Sequence, residues 1–332
     1  MTHTAPKLSD NAIARRYHVP GTVSPEAATA LAQAYGLMSQ SPSPTRPASL
    51  ADWDEFNANT KPMFEALSTA TADGLQVERI DDVIGGVKVL RLRGASFTPG
   101  NWRLVYTHGG AYTLFSARST LMVPALIAAQ SGCEVISIDY TLAPRGQWQQ
   151  VTDEVIAVWR ALLGTGTRPQ SAAIFGDSAG GGLAAGSVLK MRDQGVPLPA
   201  ALYLLSPWSD ITATGDSLST LADFDPALAS DFLAWAADAY VDPDDQKHPY
   251  VSPVYGDYSK PFPPTLIQVG TREIFLSHAV RHYQAIRTGR HEAVLDVYEG
   301  MPHVHPALVP SAPEAKVAIE RASEFLLARL ER

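Results

Sequence analysis

The stretch AAIFGDSAGGGLAAG, residues 172–186, decides the fold. Its first half is a short apolar run suited to a buried strand, and its second half is an Ala/Gly-rich run suited to a helix. Gly176-Asp177-Ser178-Ala179-Gly180 at the junction fits the pattern G-x-S-x-G. A serine on such a sharp strand-to-helix turn projects its hydroxyl above a sheet, which makes Ser178 a candidate nucleophile. Glycines at 176 and 180 remove side chains that would collide across the turn. The helix start also brings backbone N–H groups and a positive dipole end close to the hydroxyl. Gly180 to Ala185 also fits G-x-G-x-x-A, the dinucleotide fingerprint. That motif needs its glycines in the turn and an acidic residue closing the next strand. Here the glycines fall within the helix and the next strand, ALYLLSP, carries no acid, so close helix–sheet packing is the reading.

Working outward, WRLVYTH (102–108), EVISIDY (134–140), ALYLLSP (201–207) and TLIQVG (265–270) repeat the apolar, strand-like pattern. Runs apolar throughout mark strands buried on both faces, as in a parallel sheet. Helical patterns separate them at Thr120–Gln130, Val151–Leu163, Ala179–Asp193 and Ser277–Arg287. The alternation predicts an α/β fold with helices on both faces. Before it, LQVERI (75–80) and VKVLRLRG (87–94) read as an antiparallel hairpin. The chain closes with a strand ending in VYEG (297–300) and a helix over Pro313–Arg329.

Two segments stand outside the alternation. Residues 1–75 read as helices: one capped by Ser24 with Pro25 at its first position, and one from Ser49 to Leu67. A loop over Ser39–Pro47 separates them. Residues 208–250 hold one more helix at 230–241. The expected division is therefore 1–75 as an N-terminal helical appendage and 76–332 as the main α/β domain, with a second piece of the appendage inserted at about 208–250.

A serine nucleophile needs an imidazole to take its proton and a carboxylate to hold the imidazole. On this elbow the chain order is Ser, acid, His. His303, in EGMPHVHP after the last strand, is favoured over His305, which is read as a rim residue. Glu273, just past TLIQVG, is favoured over Asp296 and Glu299. His108-Gly109-Gly110-Ala111 follows a strand, and small residues there let amides turn into a cleft. His278 and His282 are spaced for one helix face. They are read as solvated rather than metal-binding, since no third ligand accompanies them.

The chain has 332 residues, 45 % hydrophobic and 18 % charged, with a net charge of −8. An acidic surface without a basic cluster argues against nucleic acid as a partner. Cys133 is the sole cysteine, which excludes an intrachain disulfide, and it reads as a small buried hydrophobe. No long apolar window predicts a membrane span, and the first 20 residues lack a secretory pattern. A cytoplasmic protein is expected.

HGGAY (108–112), DYTLAP (139–144), GDSAGGGLA (176–184), SPWSD (206–210), VGTREIFLS (269–277) and GMPHV (300–304) occur in that order. Together they resemble the bacterial hormone-sensitive-lipase-like esterases of the α/β-hydrolase superfamily. The resemblance implies a mostly parallel eight-stranded sheet flanked by helices, with a helical cap. It implies Ser178, Glu273 and His303 as a catalytic triad, and Gly109, Gly110, Ala111 and Ala179 as the oxyanion hole. Asp177 and Asp139 would support the elbow and its neighbouring loop. It further implies hydrolysis of short- to medium-chain acyl esters, a small-molecule ester substrate, no cofactor, no metal, and a homodimer through an edge strand near Val294–Tyr298. Lactone hydrolysis, amide or carbamate hydrolysis and a non-catalytic small-molecule receptor on the same scaffold are the alternatives. Four positions depart from the family pattern: Ala111 for a third glycine, Arg145 for Glu, His278 for Asp and His305 for an aromatic.

Overall fold

The computed structural model describes residues 10–40, 44–100 and 102–331. Part of the loop expected over Ser39–Pro47 therefore lies outside the described residues. Three helices come first: α1 (Asp10–Arg16), α2 (Pro25–Met38) and α3 (Leu50–Gly74). Helix α1 was not expected. Ser24 caps α2 by accepting from the Ala27 amide, with Pro25 at the first helical position. Ser49 and Asp52 form a reciprocal capping box on α3. Helix α3 runs past the expected end at Leu67, because Ser68 and Ala72 are buried. The Ser68 hydroxyl donates to Ser119 O at 2.8 Å and accepts from Leu121 N at 3.0 Å.

The antiparallel pair β1 (Glu78–Ile84) and β2 (Val87–Arg93) follows. Strand β1 starts three residues later than expected, since Gln76 adopts a positive φ of 53° after the helix. Then come β3 (Arg103–Thr107), α4 (Met122–Ser131), β4 (Glu134–Ile138), α5 (Trp148–Gly164), β5 (Ala172–Asp177), α6 (Ala179–Asp193) and β6 (Leu202–Leu205). The short helix α7 (Asp216–Thr220) and α8 (Ser230–Tyr240) lie in the segment before β7 (Thr265–Arg272). The chain ends with α9 (Leu276–Thr288), β8 (Ala293–Pro302), the single turn α10 (His305–Leu308) and α11 (Pro313–Leu327).

The strands form one eight-stranded sheet in the order β1-β2-β4-β3-β5-β6-β7-β8, with every pairing from β4 to β8 parallel. Alternate residues of each central strand feed two separate apolar layers. Val105 and Ile174 enter one layer, while Leu104, Tyr106, Ala173 and Phe175 enter the other. Cys133 belongs to the second layer, as the sequence suggested. A third cluster joins α2 to α11 and the end of β8 through Leu31, Tyr35, Met301 and Ala315. Among the described residues, no helix is long and apolar enough to cross a membrane.

Helix α6 can lie tight on the sheet and on the segment that covers it only because its contact face is glycine. A Cβ on Gly180 would stand 2.0 Å from Thr107 O, and one on Gly186 would stand 2.1 Å from Tyr250 O. Both obstacles are backbone. Gly186 lies away from Ser178, so Gly186→Ala tests packing alone. A loss of about 1–3 kcal/mol in urea-denaturation stability is expected, and an unchanged midpoint would refute the close approach.

Candidate active site

Ser178 occupies the turn between β5 and α6 with φ 55° and ψ −126°, a region that non-glycine residues enter at a cost of order 1–3 kcal/mol. The surrounding backbone holds it there. Ser178 N donates to Leu205 O at 2.9 Å, and Ser178 O accepts from Trp208 N at 2.8 Å and Gly181 N at 3.0 Å. A Cβ on Gly176 would come within 2.4 Å of Gly180 O, so the turn closes only between two glycines.

His303 follows β8 directly. Its Nε2 lies 2.9 Å from Ser178 Oγ and its Nδ1 lies 2.8 Å from Glu273 Oε2. A carboxylate can only accept, so Nδ1 carries the proton and Nε2 is the free acceptor facing the serine hydroxyl. Glu273 sits one residue past β7 and is fully buried. Its other oxygen, Oε1, accepts from Gly270 N at 2.7 Å and from the Ser206 hydroxyl at 2.8 Å. Ser206 also accepts from Val304 N at 3.0 Å, so one hydroxyl ties the acid to the residue after His303. Asp296 and Glu299, the alternative acids, bind elsewhere: Asp296 with Tyr298 and Arg321, Glu299 with Thr271 and Thr22.

Burial disfavours the His303 imidazolium, but the hydrogen bond and charge of Glu273, then the charges of Asp225 and Asp177, outweigh it. The net effect raises the His303 pKa above its ordinary value.

The loop after β3 folds over the elbow. A Cβ on Gly109 would lie 3.2 Å from Ser178 Cβ. His108 Nδ1 lies 2.7 Å from Gly109 O and donates to it. In a trans peptide the carbonyl and the following N–H point in opposite directions, so this bond aims the Gly110 N–H away from His108. His108 is itself fixed by stacking on Tyr140, with ring centroids 4.1 Å apart, and burial pushes its pKa down to about 4. Gly109 N donates to Asp177 Oδ1 at 3.3 Å, and the Tyr106 hydroxyl makes a short hydrogen bond to the same oxygen. The amides of Gly110, Ala111 and Ala179 meet no acceptor among the described residues. Ala111 takes φ 52°, the conformation a third glycine would take freely. Asp139 Oδ1 accepts from Ala117 N at 2.9 Å, holding the far end of the same loop.

A family model for the alpha/beta hydrolase fold matches residues 104–307. An acetyl-hydrolase of Streptomyces hygroscopicus is 34 % identical over 223 residues, covering 67 % of this chain and 74 % of that relative. The chain belongs to the α/β-hydrolase family. An esterase of Acinetobacter venetianus is 32 % identical over 223 residues, covering 67 % of this chain and 73 % of its own length. Among solved structures, an esterase from the bacterial hormone-sensitive lipase (HSL) family superposes with a TM-score of 0.83 at 31 % identity. That match covers 93 % of this chain and 99 % of that one. Within the α/β hydrolases, these similarities place the chain in the hormone-sensitive-lipase group.

The structure corrects two readings of the sequence. His278 and His282 are not solvated; both are fully buried. His282 Nε2 contacts the Tyr258 hydroxyl at 2.7 Å, and that hydroxyl donates to Pro253 O at 2.8 Å. Nε2 therefore donates, and Nδ1 accepts from Ser209 Oγ at 2.8 Å. His278 stacks on Phe275. Burial pushes His278 down to about 4 and His282 to about 3, so both are neutral. His305 is not at a pocket rim: it is buried against Tyr298, with ring centroids 4.7 Å apart. Arg145 pairs with Asp54 of α3. Ser206 and Asp225 were missed as site residues. SPWSD offered a hydroxyl at a strand end, but nothing in it indicated that the hydroxyl would reach Glu273.

The raised His303 pKa has a direct consequence. A general base must be neutral, so activity should fall as pH drops through the His303 pKa, and the acidic limb of kcat/KM is expected above about 6.5. Glu273→Gln should shift that limb to lower pH, because it removes the largest stabiliser of the imidazolium. A limb unmoved in a folded, measurably active Glu273→Gln would contradict the assignment.

Proposed function

We propose that this hydrolase cleaves carboxylic esters of short to medium acyl chain length through an acyl-enzyme on Ser178. The observation that carries the reading is the continuous relay from Ser178 Oγ through His303 to the buried Glu273. His303 Nε2 takes the serine proton as Oγ attacks the ester carbonyl. The tetrahedral oxyanion is held by the amides of Gly110, Ala111 and Ala179. Gly109 lines the same loop, with its own amide engaged by Asp177. The imidazolium returns its proton to the leaving alcohol, and water then releases the acid by the same steps. Each oxyanion donor contributes on the order of 10²–10³ in rate. The relatives named above, an acetyl-hydrolase and esterases, support esters over amides and carbamates. Lactone opening uses the same groups. A receptor that binds without turnover is disfavoured, because nucleophile, base and acid are all present.

In this reading α1–α3 and residues 208–250 form a cap that limits acyl length. Helix α3 meets the oxyanion loop through Asn57 Oδ1, which accepts from Phe115 N at 2.8 Å, and through Phe64, 4.4 Å from the Phe115 ring. Trp53 and Phe56 of α3 meet Phe232 of α8, joining the two cap pieces. A cytoplasmic setting belongs to the same reading; Cys133 is a free, buried thiol. So does a homodimer through β8, the last strand of the sheet, where Val294 and Val297 stand exposed.

Purified protein should hydrolyse p-nitrophenyl acetate and butyrate far faster than the palmitate, and Ser178→Ala should lose at least about 10⁴-fold in kcat. A wild-type rate no higher than that of Ser178→Ala would sink the catalytic reading. Light scattering should return twice the chain mass, and Val297→Asp should halve it; a wild-type monomer would rule out the β8 pairing.

A further inference from the structure

We propose that the dipeptide Phe224-Asp225 is a positioning clasp for the Glu273 turn, so that docking of the inserted segment and assembly of the Ser178–His303–Glu273 relay are one event. The inference rests on the catalytic reading above. Glu273 is bracketed by Arg272 and Ile274, and each is tied to one residue of the dipeptide. Arg272 Nη2 donates to Phe224 O at 3.0 Å, and Ile274 N donates to Asp225 Oδ2 at 2.8 Å. Both bonds are donated from the turn to the dipeptide, one from a side chain to a backbone carbonyl and one from a backbone amide to a side chain, so the two segments cannot slide past each other without breaking one.

The clasp is reinforced on both sides. Asp225 Oδ1 accepts from Ala227 N at 2.8 Å and Leu228 N at 2.9 Å, which fixes the carboxylate within its own loop. Ser217, in α7 of the same insertion, donates to Ile274 O at 2.6 Å and accepts from Ser277 N at 2.8 Å. The N-terminal segment joins as well. Arg272 Nη2 also donates to Arg15 O at 3.0 Å and Arg16 O at 3.2 Å, and Arg16 Nη2 donates to Ala222 O at 2.7 Å. Both cap pieces thus converge on the residue preceding the acid.

Asp225 does more than hold backbone. It is fully buried, and its charge bears on His303 together with those of Glu273 and Asp177. Tyr35, from α2, faces both Arg272 and Asp225. Burial raises Asp225 itself to about 6, against the opposing pull of His303 and the three amides. It therefore carries its charge at neutral pH, where it favours the imidazolium formed during turnover. A loop that merely covered the turn would leave His303 titration unchanged; a positioning carboxylate would not.

The decisive experiment uses the full chain with p-nitrophenyl butyrate, comparing wild type, Asp225→Asn, Arg272→Met and Ser178→Ala. For Asp225→Asn, kcat should drop about tenfold to a hundredfold, the scale of a small misplacement in a catalytic site. KM should stay within about twofold and the acidic limb should move to lower pH, because His303 loses a stabilising negative charge. Folded Asp225→Asn with wild-type kcat and an unmoved limb overturns the clasp. Should Asp225→Asn not fold, Arg272→Met decides by its kcat alone: a fall of about tenfold or more supports the clasp, and wild-type kcat overturns it. The low-field Nδ1 proton of His303, followed by NMR, needs no turnover. It should be sharp in wild type and broadened in Asp225→Asn, and equal sharpness in both overturns the clasp. Activity surviving in Ser178→Ala would instead remove the catalytic reading, leaving the NMR comparison to judge the clasp.

Discussion

An ionised carboxylate with no exposed surface costs several kcal/mol to bury unless its oxygens meet donors, and the arrangement around Glu273 answers that requirement. Its three donors come from three places in the chain: Gly270 N in β7, the Ser206 hydroxyl just past β6, and His303 Nδ1 just past β8. The carboxyl ends of three neighbouring strands therefore converge on one charge. Removing any donor leaves part of the desolvation cost uncompensated, so the same demand that stabilises the Glu273 carboxylate fixes the position of His303. The parallel sheet makes this possible, because its strands bring all their carboxyl ends to one edge.

Ser178 is placed by a different force, steric exclusion. Ser178 holds an unfavourable backbone conformation, and the energy for it comes from packing that tolerates no side chain at Gly176 or Gly180. The oxyanion loop depends on the same close approach, since Gly109 lies against both Asp177 and Ser178. Asp177 then links the two pieces by accepting from Tyr106 and Gly109. Elbow and loop form one unit, and Ala111 is accommodated in it at a positive φ without the extra freedom of glycine.

The sheet was legible because its central strands are buried on both faces and so appear as unbroken apolar runs; β5 and α6 fall where AAIFGDSAGGG put them. That Ser178, Glu273 and His303 would meet was legible because each follows closely on a strand. The misread histidines share a cause, tertiary cover that periodicity does not reveal. Helix α9 carries His278 and His282 on a face that looks polar. Residues between β6 and β7, Ser209 and Tyr258 among them, close over that face and turn the polarity inward. His305 looked like a neighbour of His303 because two residues apart in a strand share a side. Val304 instead takes a left-handed conformation, φ 50°, and starts α10, which sends His305 toward Tyr298. Asp225 was unreadable for a related reason: in ADFDP an aspartate before proline reads as a turn residue, and its partner lies 49 residues away.

The buried histidines also show how the site sets one imidazole apart from the others. His108, His278, His282 and His305 are all driven toward the neutral form, with desolvation the largest influence in each. None of them can take and hold a proton at neutral pH. His303 is nearly as enclosed, its side chain 8 % exposed, yet its pKa moves the other way because three carboxylates face it. Burial alone would make it another inert structural ring. The carboxylates convert the same low-dielectric setting from a penalty on the imidazolium into an amplifier of its attraction to negative charge. Two of those carboxylates, Asp177 and Glu273, adjoin the elbow and the strand β7, whereas Asp225 lies in the segment between β6 and β7. The basicity of His303 is therefore a property of the assembled molecule, with the sheet supplying the geometry and the segment between β6 and β7 part of the field.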